Sequence, residues 1–106
     1  MEEQKHIKIA DEVIVAIAKT AIMEAKGVMG MANHYIFAER LGKRKRGVTL
    51  LIENGRVRIS IALLVQHGYR MQEVAADAQQ KVKTAVETMT GLTATEVNIH
   101  VAGLVA

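Results

Sequence analysis

Apolar residues recur along this chain with two periods, and the switch from one to the other marks out its elements. From Met71 to Met89 the apolar positions are Met71, Val74, Ala75, Ala78, Val82, Ala85, Val86 and Met89. Spacings of three and four put all eight on one stripe of a helix, away from Asp77, Gln80, Lys83, Glu87 and Thr88. Gly91 follows, the residue type that best tolerates the left-handed conformation ending a helix. Beyond it Thr95, Val97, Ile99 and Val101 alternate with Glu96, Asn98, His100 and Ala102. That alternation predicts a strand whose apolar side faces the helices.

A second helix is predicted nearer the start, where Val13, Ile14, Ile17, Ala18, Ala21, Ile22 and Ala25 keep helical spacing. Asp11 is the expected N-cap, Glu12 favours the positive end of the helix dipole, and Gly27 is the expected stop. Ahead of it, residues 5–9 suit a short edge strand with Ile7 and Ile9 on one side. After it, Gly27-Val28-Met29-Gly30-Met31 suits a brief strand or a tight turn into one. Residues 32–41 fit a helical turn or a loop equally, and Gly42 to Gly47 reads as an exposed loop.

The sharpest local signal is a hairpin. Val48 to Ile52 and Val57 to Val65 alternate on either side of Glu53-Asn54-Gly55-Arg56. Asn-Gly at the centre suits a type I′ turn, because both residues tolerate positive φ. A two-residue loop pairs 53 with 56, 52 with 57, 50 with 59 and 48 with 61. Val48, Leu50, Ile52, Val57, Ile59, Ile61, Leu63 and Val65 then share one face. The other face carries Thr49, Leu51, Arg58, Ser60, Ala62, Leu64 and Gln66, neither wholly polar nor wholly apolar. Leu51 and Leu64 are expected to be exposed there, as interface residues or as isolated surface leucines. The order (β)-α-β-β-β-α-β predicts an α+β fold: a two-layer sandwich with both helices on one face of a mixed, mainly antiparallel sheet.

At 106 residues the chain is expected to form a single domain, 1–106, with no linker, since it lacks proline and has no Gly/Ser-rich stretch. The absence of cysteine removes disulfides and thiolate metal sites. The polar start, Met1-Glu2-Glu3-Gln4-Lys5, has no signal-peptide core behind it. No fully apolar run, Ile61 to Val65 included, approaches the roughly twenty residues that cross a bilayer. A soluble cytoplasmic protein is expected. Its net charge of +3 is unevenly spread: residues 42–58 hold six basic side chains and one acidic, while the rest sums to −2.

Candidate chemistry is sparse. His6, His34, His67 and His100 form no pair at metal-ligand spacing, and no carboxylate accompanies a pair. Ser60, the only serine, lies mid-strand without a glycine elbow. Glu2/Glu3 and Asp11/Glu12 are explained by solubility and capping. No catalytic residue, metal ligand or cofactor is therefore expected. Two features carry more. Gly27-Val28-Met29-Gly30 matches the GxxG spacing of the loop that clamps nucleic-acid backbone in KH domains, although Val-Met between the glycines favours burial. Lys43-Arg44-Lys45-Arg46 suits an anionic surface, whether lipid, nucleic acid or acidic protein, and equally suits a solvated loop. Only Tyr35, Phe37 and Tyr69 are aromatic, so platforms for stacking single-stranded bases are scarce.

Several stretches together resemble the alkaline-shock-protein family, the envelope stress response proteins of Gram-positive bacteria. They are Ile9-Ala10-Asp11-Glu12-Val13, Lys26-Gly27-Val28, Arg46-Gly47-Val48, Val57 to Val65 with Gly68, and Glu73-Val74 with Gln79 or Gln80 and Val82-Lys83. Most specific is Val86-Glu87-Thr88-Met89-Thr90-Gly91-Leu92 running into Glu96-Val97-Asn98-Ile99-His100-Val101. The resemblance covers nearly the whole chain and implies a small, cytoplasmic, non-enzymatic protein, prone to self-association. It also implies recruitment by a membrane-anchored protein at the inner face of the membrane. The extended charged tails of longer members are not expected here, and the family has no catalytic residues to carry over. The expectation is a scaffold or adaptor for cell-envelope homeostasis: a homo-oligomer that contacts partners through its sheet face or edge, with Leu51 and Leu64 as interface candidates. The basic loop would sit near an acidic surface. The alternative is a small KH-like nucleic-acid-binding module using Gly27–Gly30 and Lys43–Arg46.

Overall fold

A computed structural model of the chain describes residues 8–32, 43–45 and 47–106. Two helices, α1 (Asp11–Ile22) and α2 (Met71–Thr90), pack on one face of a five-stranded sheet. Its strands are β1 (Val28–Met31), β2 (Lys43–Lys45), β3 (Val48–Glu53), β4 (Arg56–Gln66) and β5 (Thr93–Val105). The α+β sandwich expected from the periodicity is the observed fold. Of the expected N-terminal strand, residues 5–7 lie outside the described region and Lys8 and Ile9 are not strand. The ambiguous segment 33–41 is also outside it.

Strand β4 is the centre of the sheet. It pairs antiparallel with β3 over its first half and antiparallel with β1 over its last residues, while β5 runs parallel to it along its whole length. β2 extends the sheet beyond β3. The hairpin has the register that the two-residue loop predicts, Glu53 with Arg56 through Val48 with Ile61. Asn54 and Gly55 both take positive φ, as a type I′ turn requires. Lys43–Lys45, expected to be loop, is strand: it pairs Lys43 with Leu50 and Lys45 with Val48. A basic run has low strand preference, and it was the free edge of β3 that drew it into a ladder.

The core lies between this sheet and the helices. Ile14, Ile17, Ala18, Ala21 and Ile22 of α1 and Val74, Ala78, Val82 and Val86 of α2 meet Val48, Leu50, Val57, Ile59, Ile61, Leu63 and Val65. Each such valine, leucine or isoleucine, fully buried, contributes about 1.5–3 kcal/mol. The buried α2 residues, Val74, Ala78, Val82 and Val86, form a single i, i+4 row. Met71 and Met89, at the ends of the predicted stripe, are 47% and 69% exposed because they lie off that row.

Both helix ends differ in detail from the periodicity. Ala10 is the N-cap of α1 and makes no side-chain cap; Asp11 is the first helical residue, where its charge still favours the positive dipole end. α1 closes at Ile22 and tightens into i→i+3 turns, Glu24 N–H to Ala21 O (3.1 Å) and Ala25 N–H to Ile22 O (3.0 Å), which keep Ala25 in the core. The chain then reverses at Gly27. α2 ends as expected, with Gly91 left-handed (φ 78°) and its N–H bonded to Glu87 O. The joint to β5 is reinforced by side chains. The Thr90 hydroxyl donates to Val86 O (2.6 Å) and accepts from Leu92 N–H, while the Glu87 carboxylate accepts from Ala94 N–H (2.9 Å).

Gly27 has two reasons to be glycine. Its φ is +91°, and a Cβ there would lie 2.8 Å from the Tyr69 ring and 2.9 Å from a Val74 methyl. Gly68 has φ +103° but open space around it. Gly68→Ala is expected to cost about 1 kcal/mol, from backbone strain alone. Gly27→Ala adds overpacking and is expected to cost about 2–4 kcal/mol. Urea denaturation of the two variants measures the difference, and equal losses would contradict this packing.

Candidate interaction surfaces

The GxxG segment is not a loop. Val28 is buried, and β1 is laddered onto β4 with a bulge between Val28 and Gly30 that turns Met29 outward. The Gly27 carbonyl accepts from Gln66 N–H at 2.8 Å. Its glycines therefore serve a chain reversal and a bulge, and with Val28 buried and the Gly27 carbonyl bonded to Gln66 the segment does not present a free GxxG loop. That removes the structural basis of the KH-like reading.

The two described histidines do not converge. His67 is exposed in the turn after β4, His100 is half-buried in β5, and His6 and His34 lie outside the described residues. No group of three or more His, Asp or Glu that could hold a metal occurs among the described residues. Ser60 is 4% exposed and accepts a hydrogen bond from Asn98 Nδ2 (3.3 Å). No described helix is long and apolar enough to cross a membrane.

The sheet face away from the helices is less open than its composition suggests. Thr49, Ser60 and Ala62 along its centre are buried, the Thr49 hydroxyl without a hydrogen-bond partner among the described residues. Leu51 and Leu64 are half-buried, not exposed. For Leu64 the cause is local: its neighbours across the sheet are Gly30 on β1 and Gly103 on β5. A Cβ on Gly103 would meet the Leu64 side chain at 3.4 Å, so the leucine lies over a glycine in place of standing into water. Farther along this face Arg58 pairs with Glu96 at 3.5 Å.

Of the basic segment, Lys43, Arg44 and Lys45 form β2 at the sheet edge beyond β3, and Arg46 lies outside the described residues. Between the helices runs a groove of about 720 Å³, lined by Ile17, Ala21, Ala85 and Met89, with the Asp77–Lys81 ion pair (2.9 Å) on its rim. The sequence pattern did not reveal this groove. Its trace there is the small residues, Ala16, Ala21 and Ala85, where the helices pass.

The most extended surface is the outer edge of β5. Among the described residues β5 pairs only with β4. The direction of its free groups follows from β4. Ala62 donates to Gly47 O and accepts from Ala32 N–H, and Gln66 donates to Gly27 O, so even-numbered residues of β4 face β3 and β1. Odd-numbered ones face β5. With Ile59 beside Val97 and Ile61 beside Ile99, the parallel ladder uses the backbone of 96, 98 and 100 and leaves that of 97, 99 and 101 pointing outward. Consistent with this direction, the Val97 carbonyl accepts from Gln79 Nε2 (2.7 Å). Bulges at Val57/Arg58 and Leu63/Leu64 bound a regular run, 96–101. The first bulge also explains why Ala94 is buried and Thr95, expected on the apolar side, is exposed.

The family model that matches this chain, over residues 1–106, is that of the alkaline-shock proteins, described as having a cell envelope-related function. Uncharacterized protein YloU of Bacillus subtilis (strain 168) is 35% identical over 104 residues, covering 92% of this chain and 87% of YloU. Uncharacterized protein YqhY of the same strain is 32% identical over 102 residues, covering 92% and 76%. Uncharacterized protein Spy1614 of Streptococcus pyogenes is 29% identical over 101 residues, covering 90% and 84%. Among solved structures, two forms of the MamM CTD superpose with TM-scores of 0.57 and 0.56. They share 11% and 13% identity, covering 89% and 87% of this chain and 99% and 93% of theirs, a likeness of fold.

Amide exchange tests the edge directly. At high dilution the N–H groups of Val97, Ile99 and Val101 are expected to exchange quickly, while those of Asn98 and His100, which face β4, are protected. Uniform protection across 97–101 would contradict the open edge.

Proposed function

The chain belongs to the alkaline-shock-protein family, whose function is cell envelope-related, and from that premise we propose that it is a non-catalytic scaffold or adaptor at the inner face of the membrane. It works by self-association and by contact with a membrane-anchored protein. The observation that carries this reading is the open edge of β5, a thirteen-residue strand paired on one side only among the described residues. Strand addition to such an edge supplies affinity from main-chain hydrogen bonds and specificity from alternate side chains.

Charge supports the placement near a membrane. Residues 42–58 concentrate the positive charge of the chain, and β2 lies on the edge of the sheet opposite β5. One edge is then available to protein while the other meets an anionic surface. Each lysine or arginine near such a surface contributes about 1 kcal/mol.

Light-scattering mass and vesicle flotation test both halves. The protein is expected to associate in solution and to float with phosphatidylglycerol vesicles but not with neutral ones. Replacing Lys43, Arg44, Lys45 and Arg46 by alanine is expected to weaken flotation by about a thousandfold and leave association unchanged. A monomer that ignores vesicles and binds short RNA, with affinity falling steeply with salt, would sink the scaffold reading.

A further inference from the structure

We infer that the β5 edge is built to pair with the β5 edge of a second copy, antiparallel about a two-fold axis at Asn98, with Glu96 matched to the partner's His100. This deepens the scaffold reading and rests on it, by naming the occupant of the open edge and its register.

In an antiparallel pair, residues that exchange both hydrogen bonds alternate with residues that exchange none. The outward groups of β5 belong to 97, 99 and 101. A two-fold axis at Asn98 sets Val97 against the partner's Ile99 and Ile99 against the partner's Val97, so both pairs fall on outward-facing backbone. Four N–H···O bonds form without disturbing the ladder to β4. The Gln79 amide on Val97 O is no obstacle, because a carbonyl has two lone pairs and the Gln79 side chain is exposed. The paired segment, 96–100, lies inside the regular run between the two bulges.

The side chains select this register over its neighbours. Asn98 meets its own copy, and Glu96 lies directly opposite the partner's His100, at positions that exchange no backbone bonds and so bring side chains closest. Symmetry makes the pair twice: two carboxylates each gain an imidazole donor. Glu96 already forms an ion pair with Arg58 at 3.5 Å, and its side chain is still 52% exposed, so acceptor sites remain. An axis at Glu96 would oppose two carboxylates, one at His100 would oppose two imidazoles, and one at Ile99 would leave Glu96 against Ala102. Like charges directly opposite are destabilising in a sheet.

The apolar side agrees. Val97, Ile99 and Val101 face the helices, yet Ile99 and Val101 remain half-buried, because no strand lies beyond them among the described residues. A second β5 covers them with its own Val97 and Ile99. The axis is perpendicular to the sheet, so both helix layers stay on one side and the two cores join. β2 then lies at both outer ends of a continuous sheet, away from the new contact.

The absence of native cysteine makes a direct test simple. Asn98→Cys in the full chain, oxidised mildly, is expected to give a covalent dimer, since the two thiols face each other across the axis. Thr88→Cys, exposed on α2, is the control for random collision. Circular dichroism checks that each variant folds. Sedimentation of His100→Glu is expected to show association weakened by about tenfold, because two attractive pairs become repulsive. The swap Glu96→His with His100→Glu is expected to recover it, because the same pair re-forms in the opposite sense. Association by the native chain with no faster cross-linking at 98 than at 88, or with no difference between single change and swap, would overturn this register and leave the scaffold reading standing. A native chain that stays monomeric at every concentration overturns both.

Discussion

The backbone of β4 has no free side. Its even-numbered residues bond to β3 and β1, its odd-numbered residues bond to β5, and every residue from Arg56 to Gln66 stands opposite a residue of β5. Its middle is buried on both faces as well: Ile59, Ile61 and Leu63 lie under the helices while Ser60 and Ala62 are buried on the other side. Everything else in the molecule is placed relative to this strand. β3 reaches it through two residues of type I′ turn. β5 reaches it only by a crossover long enough to reverse the chain twice, which is why α2 exists and why its exit is so firmly held by Thr90, Gly91 and Glu87.

That arrangement sends the unsatisfied hydrogen-bonding capacity of the sheet to its margins. On one side the sheet ends in β1 and β2, four and three residues long, the second wholly basic. Shortness and charge both discourage pairing with another chain. The other margin is β5, thirteen residues long, interrupted by two bulges and touched at one carbonyl by Gln79. The molecule thus protects one margin by charge and shortness and confines the other to a regular run between the bulges. The scaffold role proposed above would draw on both properties: a defined place to associate and a means of not associating everywhere.

Much of this was written in local pattern. The hairpin register follows from Asn54-Gly55 and the alternation around it, and the left-handed exit at Gly91 follows from the end of the α2 stripe. The Val86 to Val101 stretch that carries the family resemblance proves to be the joint itself: Glu87 holds Ala94, Thr90 holds Val86 and Leu92, and Gly91 makes the bend. The less legible features all depend on a neighbour distant in sequence. Lys43–Lys45 reads as loop because charge runs favour solvent, yet the vacant edge of β3 makes it strand. Leu64 reads as exposed because its own strand places it outward, yet Gly103, far along the chain, gives it a seat. Gly27–Gly30 has the spacing of a ligand loop, and only the contact with Tyr69 and the ladder to β4 show it to be structural.

The sequence by itself determined both helices, the hairpin strands and β5, and which side of each is apolar, because helix and strand periodicities are properties of adjacent residues. It determined the helix-covered face, the hairpin and the reversal after α2. The tertiary structure alone decided which edges remain open. Strand adjacency is settled by which long-range pairing buries the most surface and satisfies the most backbone, and no local pattern encodes that β5 lies parallel to β4 with 97, 99 and 101 facing outward. The candidate site of this protein is a row of backbone groups, and a backbone group has the same composition whatever the side chain, so its availability is visible only once every other pairing has been made.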